Sequence, residues 1–238
     1  MKFFSWLVVA WAISCGPDKN QYRGEVGPPI LPDRKLHAAF VVVDGVYNTE
    51  LIAPMDVFQH TVFHTAEGIA VSLVAPTRDT ITTFEGLRLI PDFSLADSLP
   101  PIDILVVPSA KNSMGDDLNN QELISFVREH SRHAMYTLSL CDGAFVLAQA
   151  GLLQGMACTT FPADTDALEQ RFPSLSVHRE VSFVHDRHMI TSAGGARSYE
   201  AALYLVELLY GREVAVKIGK GLVIDWDLAS VKTYRTAR

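Results

Sequence analysis

The residue with the clearest chemical potential is Cys141, which closes an apolar run in the stretch AMYTLSLCDGAFVLAQAGLLQG, residues 134–155. Tyr136, Leu138 and Leu140 suit a buried strand, while Ala144, Phe145, Leu147, Ala148, Leu152 and Leu153 recur at helical spacing. A strand that ends on a nucleophile and turns sharply into a helix holds that side chain at a strained elbow, beside helix N-terminal amides that favour a thiolate. Gly143 leaves room for the turn. The same sequence also fits a plainer role for Cys141, a small apolar residue at the end of a core strand.

Three further segments carry polar groups that could meet this cysteine. Asp44-Gly-Val-Tyr-Asn-Thr-Glu50 leads into Leu51-Ile-Ala-Pro54-Met-Asp56-Val-Phe58, placing Glu50 in a first helical turn, where an acid is favoured by the macrodipole with or without a catalytic task. Pro108-Ser-Ala-Lys-Asn-Ser113 follows another apolar run and presents backbone amides suited to a developing anion. Thr191-Ser-Ala-Gly-Gly195 is small enough for close backbone approach to a pocket. Cys158, in Met156-Ala-Cys-Thr-Thr160, reads as a packing residue. His185-Asp-Arg-His188 interrupts β-like runs as a hairpin turn does and lacks the further ligands of a metal site, so no metal is expected.

The elements that must position these groups alternate. Strands are expected at Ala38–Val43, Ile69–Ala75, Ile102–Val107, the run ending at Cys141, Ala157–Thr160, Ser176–Val184 and His188–Thr191, with a hairpin at Thr80–Phe84 and Leu87–Ile90. Helices are expected at Glu50–Thr65, Asn119–Glu129, Ala163–Arg171 and Ser198–Tyr210. This alternation predicts an α/β fold with right-handed crossovers and a mostly parallel sheet covered on both faces. Ligands in such folds bind outside the carboxyl ends of the strands, which gathers the loops after Val43, Val107, Leu140 and Thr191. With 238 residues, 48% of them hydrophobic, the chain can bury one full core. A net charge of −7 and the small size of the basic segment Lys217–Lys220 argue against nucleic-acid binding.

Residues 1–15 read as an export signal: one positive charge, a short apolar core, then small residues before Cys15. Ala12-Ile13-Ser14-Cys15 resembles a bacterial lipoprotein processing box, which predicts lipidation at Cys15 and a place in the cell envelope, with ordinary secretion as the alternative. Residues 16–35, rich in Pro, Gly and charge, read as a tether, and residues 36–238 as the folded domain. With Cys15 lipidated, only Cys141 and Cys158 remain, too few for a disulfide framework.

Gly45–Phe58, Asp103–Pro108, Cys141–Gly155, Ala157-Cys-Thr-Thr160 and Thr191–Tyr210 together resemble the ThiJ/PfpI superfamily of class I glutamine-amidotransferase-like proteins. The resemblance is to the branch of isonitrile hydratases and the sensory domains of AraC-type regulators, whose elbow reads Cys-Thr-Gly followed by a similar helix. It implies a flavodoxin-like three-layer sandwich and a homodimer, and no cofactor is expected. It also implies that Cys141 is the nucleophile, that Glu50 is a protonated acid hydrogen-bonded to its sulfur, and that the amides of Asp142 and Ala110 bind an anion. In that arrangement the shared proton and the amides lower the thiol pKa.

Three departures shape the functional reading. Asp142 stands where protease- and glyoxalase-like members often carry His, so the elbow lacks a cysteine–histidine couple and a protease is not expected. Ser109-Ala110 replaces a Gly-Gly pair, and Phe161-Pro162 replaces a His-Trp pair. Ser109, Thr160, Phe161 and Gly194 are thus expected to line the pocket, with Asp142 joining Cys141 and Glu50 as a catalytic candidate. Two functions follow: an exported enzyme that uses Cys141 on a small electrophile, as a hydratase, lyase or glyoxalase would, or a non-enzymatic envelope protein that binds a small ligand or senses oxidants through Cys141. No helix-turn-helix segment follows Leu222, which sets aside a complete AraC-type regulator.

Overall fold

A computed structural model describes residues 29–236; the expected export signal over residues 1–15, with Cys15, and the expected tether up to residue 28 lie outside the described residues. In chain order the elements are β1 (Leu36–Val41), α1 (Asn48–Gln59), β2 (Ile69–Ala75), β3 (Ile81–Thr82), β4 (Arg88–Leu89), β5 (Phe93–Ser94), β6 (Ile104–Val107) and α2 (Gln121–His133). They continue through β7 (Tyr136–Leu140), α3 (Gly143–Gln149), β8 (Ala157–Cys158), α4 (Thr165–Arg171), β9 (Ser176–Val177), β10 (Phe183–Asp186), β11 (Met189–Ser192), α5 (Arg197–Tyr210), α6 (Arg212–Gly221) and β12 (Thr233–Arg235).

The main sheet has the order β12-β10-β11-β7-β6-β1-β2-β5. Its pairs are parallel apart from the β10–β11 hairpin. Alternate residues of the strands supply two separate cores. Ala38 and Phe40 of β1 pack with Leu51 and Phe58 of α1, Tyr204 of α5 and Ile218 of α6. Ala39 and Val41 face the other way, with Val127 of α2, Phe145 of α3 and Leu168 of α4. Period-two alternation feeding two helical layers is what a doubly covered sheet requires, so the chain has the mostly parallel sheet covered on both faces expected from the alternation of strands and helices, and is the three-layer flavodoxin-like sandwich that the family resemblance implies.

The differences from that expectation have local causes. The first helix stops at Gln59 and tightens into a 3-10 turn over His60–Phe63, where the Thr61 hydroxyl bonds the Phe58 carbonyl. The segment 176–184 is not one strand: β9 pairs with β8 in a separate two-stranded sheet, and only β10 joins the main sheet. Beyond Tyr210, Gly211 at φ 88 breaks the chain and starts α6, whose Ala215 and Ile218 complete the core. Lys217, read as part of a basic segment, lies on this helix and pairs with Glu213 at 2.6 Å. At the chain's entry, Arg34 forks onto Asp103 at 2.7 and 2.8 Å, and Asp103 also accepts from the His37 amide. The start of β1 is thereby fixed at the sheet end opposite the strand carboxyl ends.

Candidate functional site

The carboxyl ends of β6, β7 and β11 meet at Cys141. Its backbone sits at φ 54, a left-handed conformation that a residue bearing a Cβ adopts only under constraint. Its amide donates to the Ser192 carbonyl at 3.0 Å, which fixes the strand end against β11. Two glycines allow this approach. A Cβ on Gly143 would fall 2.1 Å from the Val107 carbonyl oxygen, and one on Gly194 would fall 2.4 Å from the Cys141 Cβ. The elbow is therefore built by close backbone contact among three strand ends, at positions where any larger residue would clash.

Cys141 is 7% exposed. Burial first, and the Asp142 carboxylate second, push its thiol up to about 12, with Glu50 adding to the negative field. The Ser109 hydroxyl and the Asp142 amide act in the opposite direction. This reverses the lowered thiol pKa expected from the elbow motif, because desolvation of a thiolate inside the sandwich outweighs the amides. Glu50 also departs from its expected role. It is buried in the first turn of α1, but its Oε1 accepts from the Gly195 amide at 2.9 Å and no hydrogen bond joins its carboxyl to the sulfur. The tight Gly194-Gly195 turn aims that N–H at α1, so the Glu50 carboxyl ties the loop after β11 to the first turn of α1.

Asp142 is half-buried at the start of α3. Burial, with the facing Asp164 carboxyl, pushes it up to about 6, against the Thr160 hydroxyl and the Phe161 amide, which favour its ionised form. The Thr160 Oγ1 lies 2.8 Å from the Asp142 Oδ1 and 3.1 Å from the Cys141 carbonyl oxygen, so Thr160 holds both elbow residues. Phe161, beside it, is exposed. The Ala110 amide, expected to be an anion donor, instead donates to the Ser113 Oγ at 2.8 Å. The turn over 110–113 consumes that donor.

Three participants were not singled out by the sequence. Tyr47 precedes α1 with its ring against Phe84, centroids 4.8 Å apart, and its phenol is pushed up by burial, then by Cys141, Asp142 and Glu50. Its place three residues before Glu50 was a usable signal. Asp164 and Ser113 reach the site through turns, and neither carries a sequence signature. Elsewhere, His185 is buried and bonds the Tyr204 hydroxyl and the Arg187 carbonyl, each at 2.7 Å, so it serves the core and not the hairpin surface. Among the described residues no cluster of three or more His, Cys, Asp or Glu could hold a metal ion.

The sequence pattern of the DJ-1/PfpI family matches residues 36–208. Isonitrile hydratase of Pseudomonas putida is 29% identical over 181 residues, covering 76% of this chain and 75% of that protein. The HTH-type transcriptional regulator GbdR of Pseudomonas aeruginosa is 26% identical over 141 residues, and the match spans 59% of this chain but only 37% of the regulator. Among solved structures, Drosophila melanogaster DJ-1beta superposes with a TM-score of 0.68 at 23% identity, covering 81% of this chain and all of that one.

Proposed function

The chain belongs to the DJ-1/PfpI family, and on that premise we propose that it is a cysteine-dependent enzyme acting on a small uncharged electrophile, with hydration of an isonitrile as the reaction that fits best. The observation that carries this reading is the strained elbow at Cys141, φ 54, with an acid as its immediate neighbour. Asp142, ionised above about pH 6, is the base that accepts the thiol proton as sulfur attacks. In the proposed sequence the sulfur bonds to the terminal isonitrile carbon while Asp142 delivers the proton to that same carbon, giving a thioimidate. Water then adds across the C=N bond, with Asp142 relaying its proton to nitrogen. The C–S bond breaks, the hydroxyl proton returns to sulfur through Asp142, and an N-substituted formamide leaves. One water is consumed and nothing is oxidised or reduced.

The surrounding charges favour this substrate class. The charges that act on Cys141 are the carboxylates of Asp142 and Glu50, and those that act on Tyr47 are Cys141 first and then Asp142, Glu50 and Glu85. Such a field opposes an anionic substrate such as a 2-oxo acid and leaves a neutral isonitrile unhindered. The influences on the sulfur are carboxylates, a hydroxyl and an amide, which also supports a reaction other than proteolysis.

A second reading, a ligand-binding envelope protein without turnover, is favoured by the thiol near 12, since a protonated thiol is a weak nucleophile. Formamide release from a panel of isonitriles, beside glyoxals and amides, compared between the parent and Cys141→Ser, separates the two. Turnover lost in the variant supports the enzyme; saturable binding without turnover supports the module. We further propose export with lipidation at Cys15 and a homodimer. Among the described residues no helix is long and apolar enough to cross a membrane, so labelling with a lipid precursor, lost in Cys15→Ala, tests the anchor, and light scattering tests the dimer.

A further inference from the structure

Ser109 is fully buried, at 0% exposure, and its Oγ makes no hydrogen bond of normal geometry. A buried hydroxyl left without a partner is costly, and natural cores rarely retain one without a use. Its position gives that use. β6 and β7 pair in parallel with Ile104 opposite Tyr136 and Val107 opposite Ser139. Continued two residues past the last observed pair, the same offset of 32 residues brings Ser109 level with Cys141.

The Ser109 backbone is clamped: its carbonyl accepts from the Tyr47 amide at 3.0 Å, and the next residues are held by Ala110 N to Ser113 Oγ at 2.8 Å and Lys111 N to Gly45 O at 2.9 Å. The main-chain donor expected here, the Ala110 amide, is thereby already spent. We propose that the Ser109 hydroxyl is the donor that stabilises the ionised sulfur of Cys141, a side chain standing in for the committed amide. The hydroxyl hydrogen turns onto the sulfur as the thiol proton leaves for Asp142, so no atom has to move far. The influence of Ser109 on the Cys141 thiol has the sign this requires.

The inference deepens the proposed nucleophilic role of Cys141, but its test needs no substrate. Because burial pushes the thiol well above this range, the rate of iodoacetamide labelling at fixed pH between 8 and 10 reports the thiolate fraction, followed at Cys141 by mass spectrometry of the full chain. Ser109→Ala is expected to slow labelling about tenfold across that range, equivalent to about one pH unit. Ser139→Ala is the matched control, since Ser139 is also fully buried with an unpartnered hydroxyl, two residues before Cys141 on β7. It should leave the rate within about twofold.

Labelling of Ser109→Ala that overlays the parent overturns the proposal, as does an equal loss in Ser139→Ala, which would mean general loosening of the core. If Ser109→Ala does not fold, Ser109→Gly carries the same expectation and the same overturning result. A parent that labels as expected but turns over no substrate would defeat the enzymatic reading and leave the assignment of Ser109 intact.

Discussion

Cys141 and Cys158 are both buried free thiols, and burial is the first cause that pushes each up to about 12. Around them the structure differs. Cys158 lies in β8, in ordinary pairing with Val177, with its carbonyl accepting from the His178 amide and its side chain in the α2–α3–α4 core. What acts on its sulfur beyond burial is the charge of Glu169 and Asp186, both opposing ionisation. Cys141 has a left-handed backbone, an amide and a hydroxyl that favour its thiolate, and an acid beside it poised near pH 6. Desolvation sets the same resistance to ionisation at both sites. Only the elbow holds groups that favour the thiolate against that resistance.

The strongest attempt to break this contrast is to exchange the sulfurs. Cys141→Ser is expected to remove native-state labelling and to lower turnover by on the order of 10³-fold or more, while Cys158→Ala leaves both within about twofold and costs about 1 kcal/mol of stability. Peptide mapping after alkylation checks the first, and urea denaturation the second. Labelling concentrated on Cys158 would invert the comparison.

Next in size is Gly194→Ala, which combines φ 77 with a Cβ placed 2.4 Å from that of Cys141. It should destabilise the fold by roughly 2–4 kcal/mol and slow Cys141 labelling even where the protein remains folded. A melting temperature within a degree of the parent would show that the three strand ends are less tightly joined than described.

The charge around the elbow sharpens the comparison further. A cationic methanethiosulfonate should modify Cys141 about tenfold faster than its anionic counterpart, and Asp142→Asn should narrow that ratio. Equal rates for the two reagents would remove the electrostatic argument for an uncharged substrate.

The smallest effect is in pH dependence. Asp142 must be ionised to serve as base, so turnover should rise as pH passes through about 6 and lose that step in Asp142→Asn. Stability moves the other way. Because the folded carboxyl binds its proton more tightly than the unfolded one, stability is greatest below the unfolded pKa and falls as pH rises through about 6. Asp142→Asn should flatten this slope, measurable as melting temperature against pH between 4 and 8.

The elbow was legible because its signal is local: alternating apolar residues, one cysteine, then glycine and a helical pattern all lie within 22 consecutive residues of the chain, 134–155. The sheet followed from alternation, and the strand-end rule gathered the loops that hold Cys141, Ser109, Glu50 and Gly194. What was missed lies where the local signal was weak or belonged to a distant partner. α6 was obscured by Gly211, which ends one helix and begins another. β9 is too short to announce which sheet it joins. Asp164 faces Asp142 across a turn that no residue pattern specifies.

The sequence by itself determined the doubly covered sheet, the position of Cys141 at a strand end and the glycines needed around it, because period, chain turns and backbone sterics are local properties. Tertiary structure alone decided the protonation and partners of the site. It directs Glu50 to the Gly195 amide, spends the Ala110 amide on Ser113, leaves the buried Ser109 hydroxyl without a partner and raises the thiol to about 12. The physical reason is that hydrogen-bond competition and desolvation depend on which groups the packed fold brings within a few ångströms, and spacing along the chain does not encode that distance.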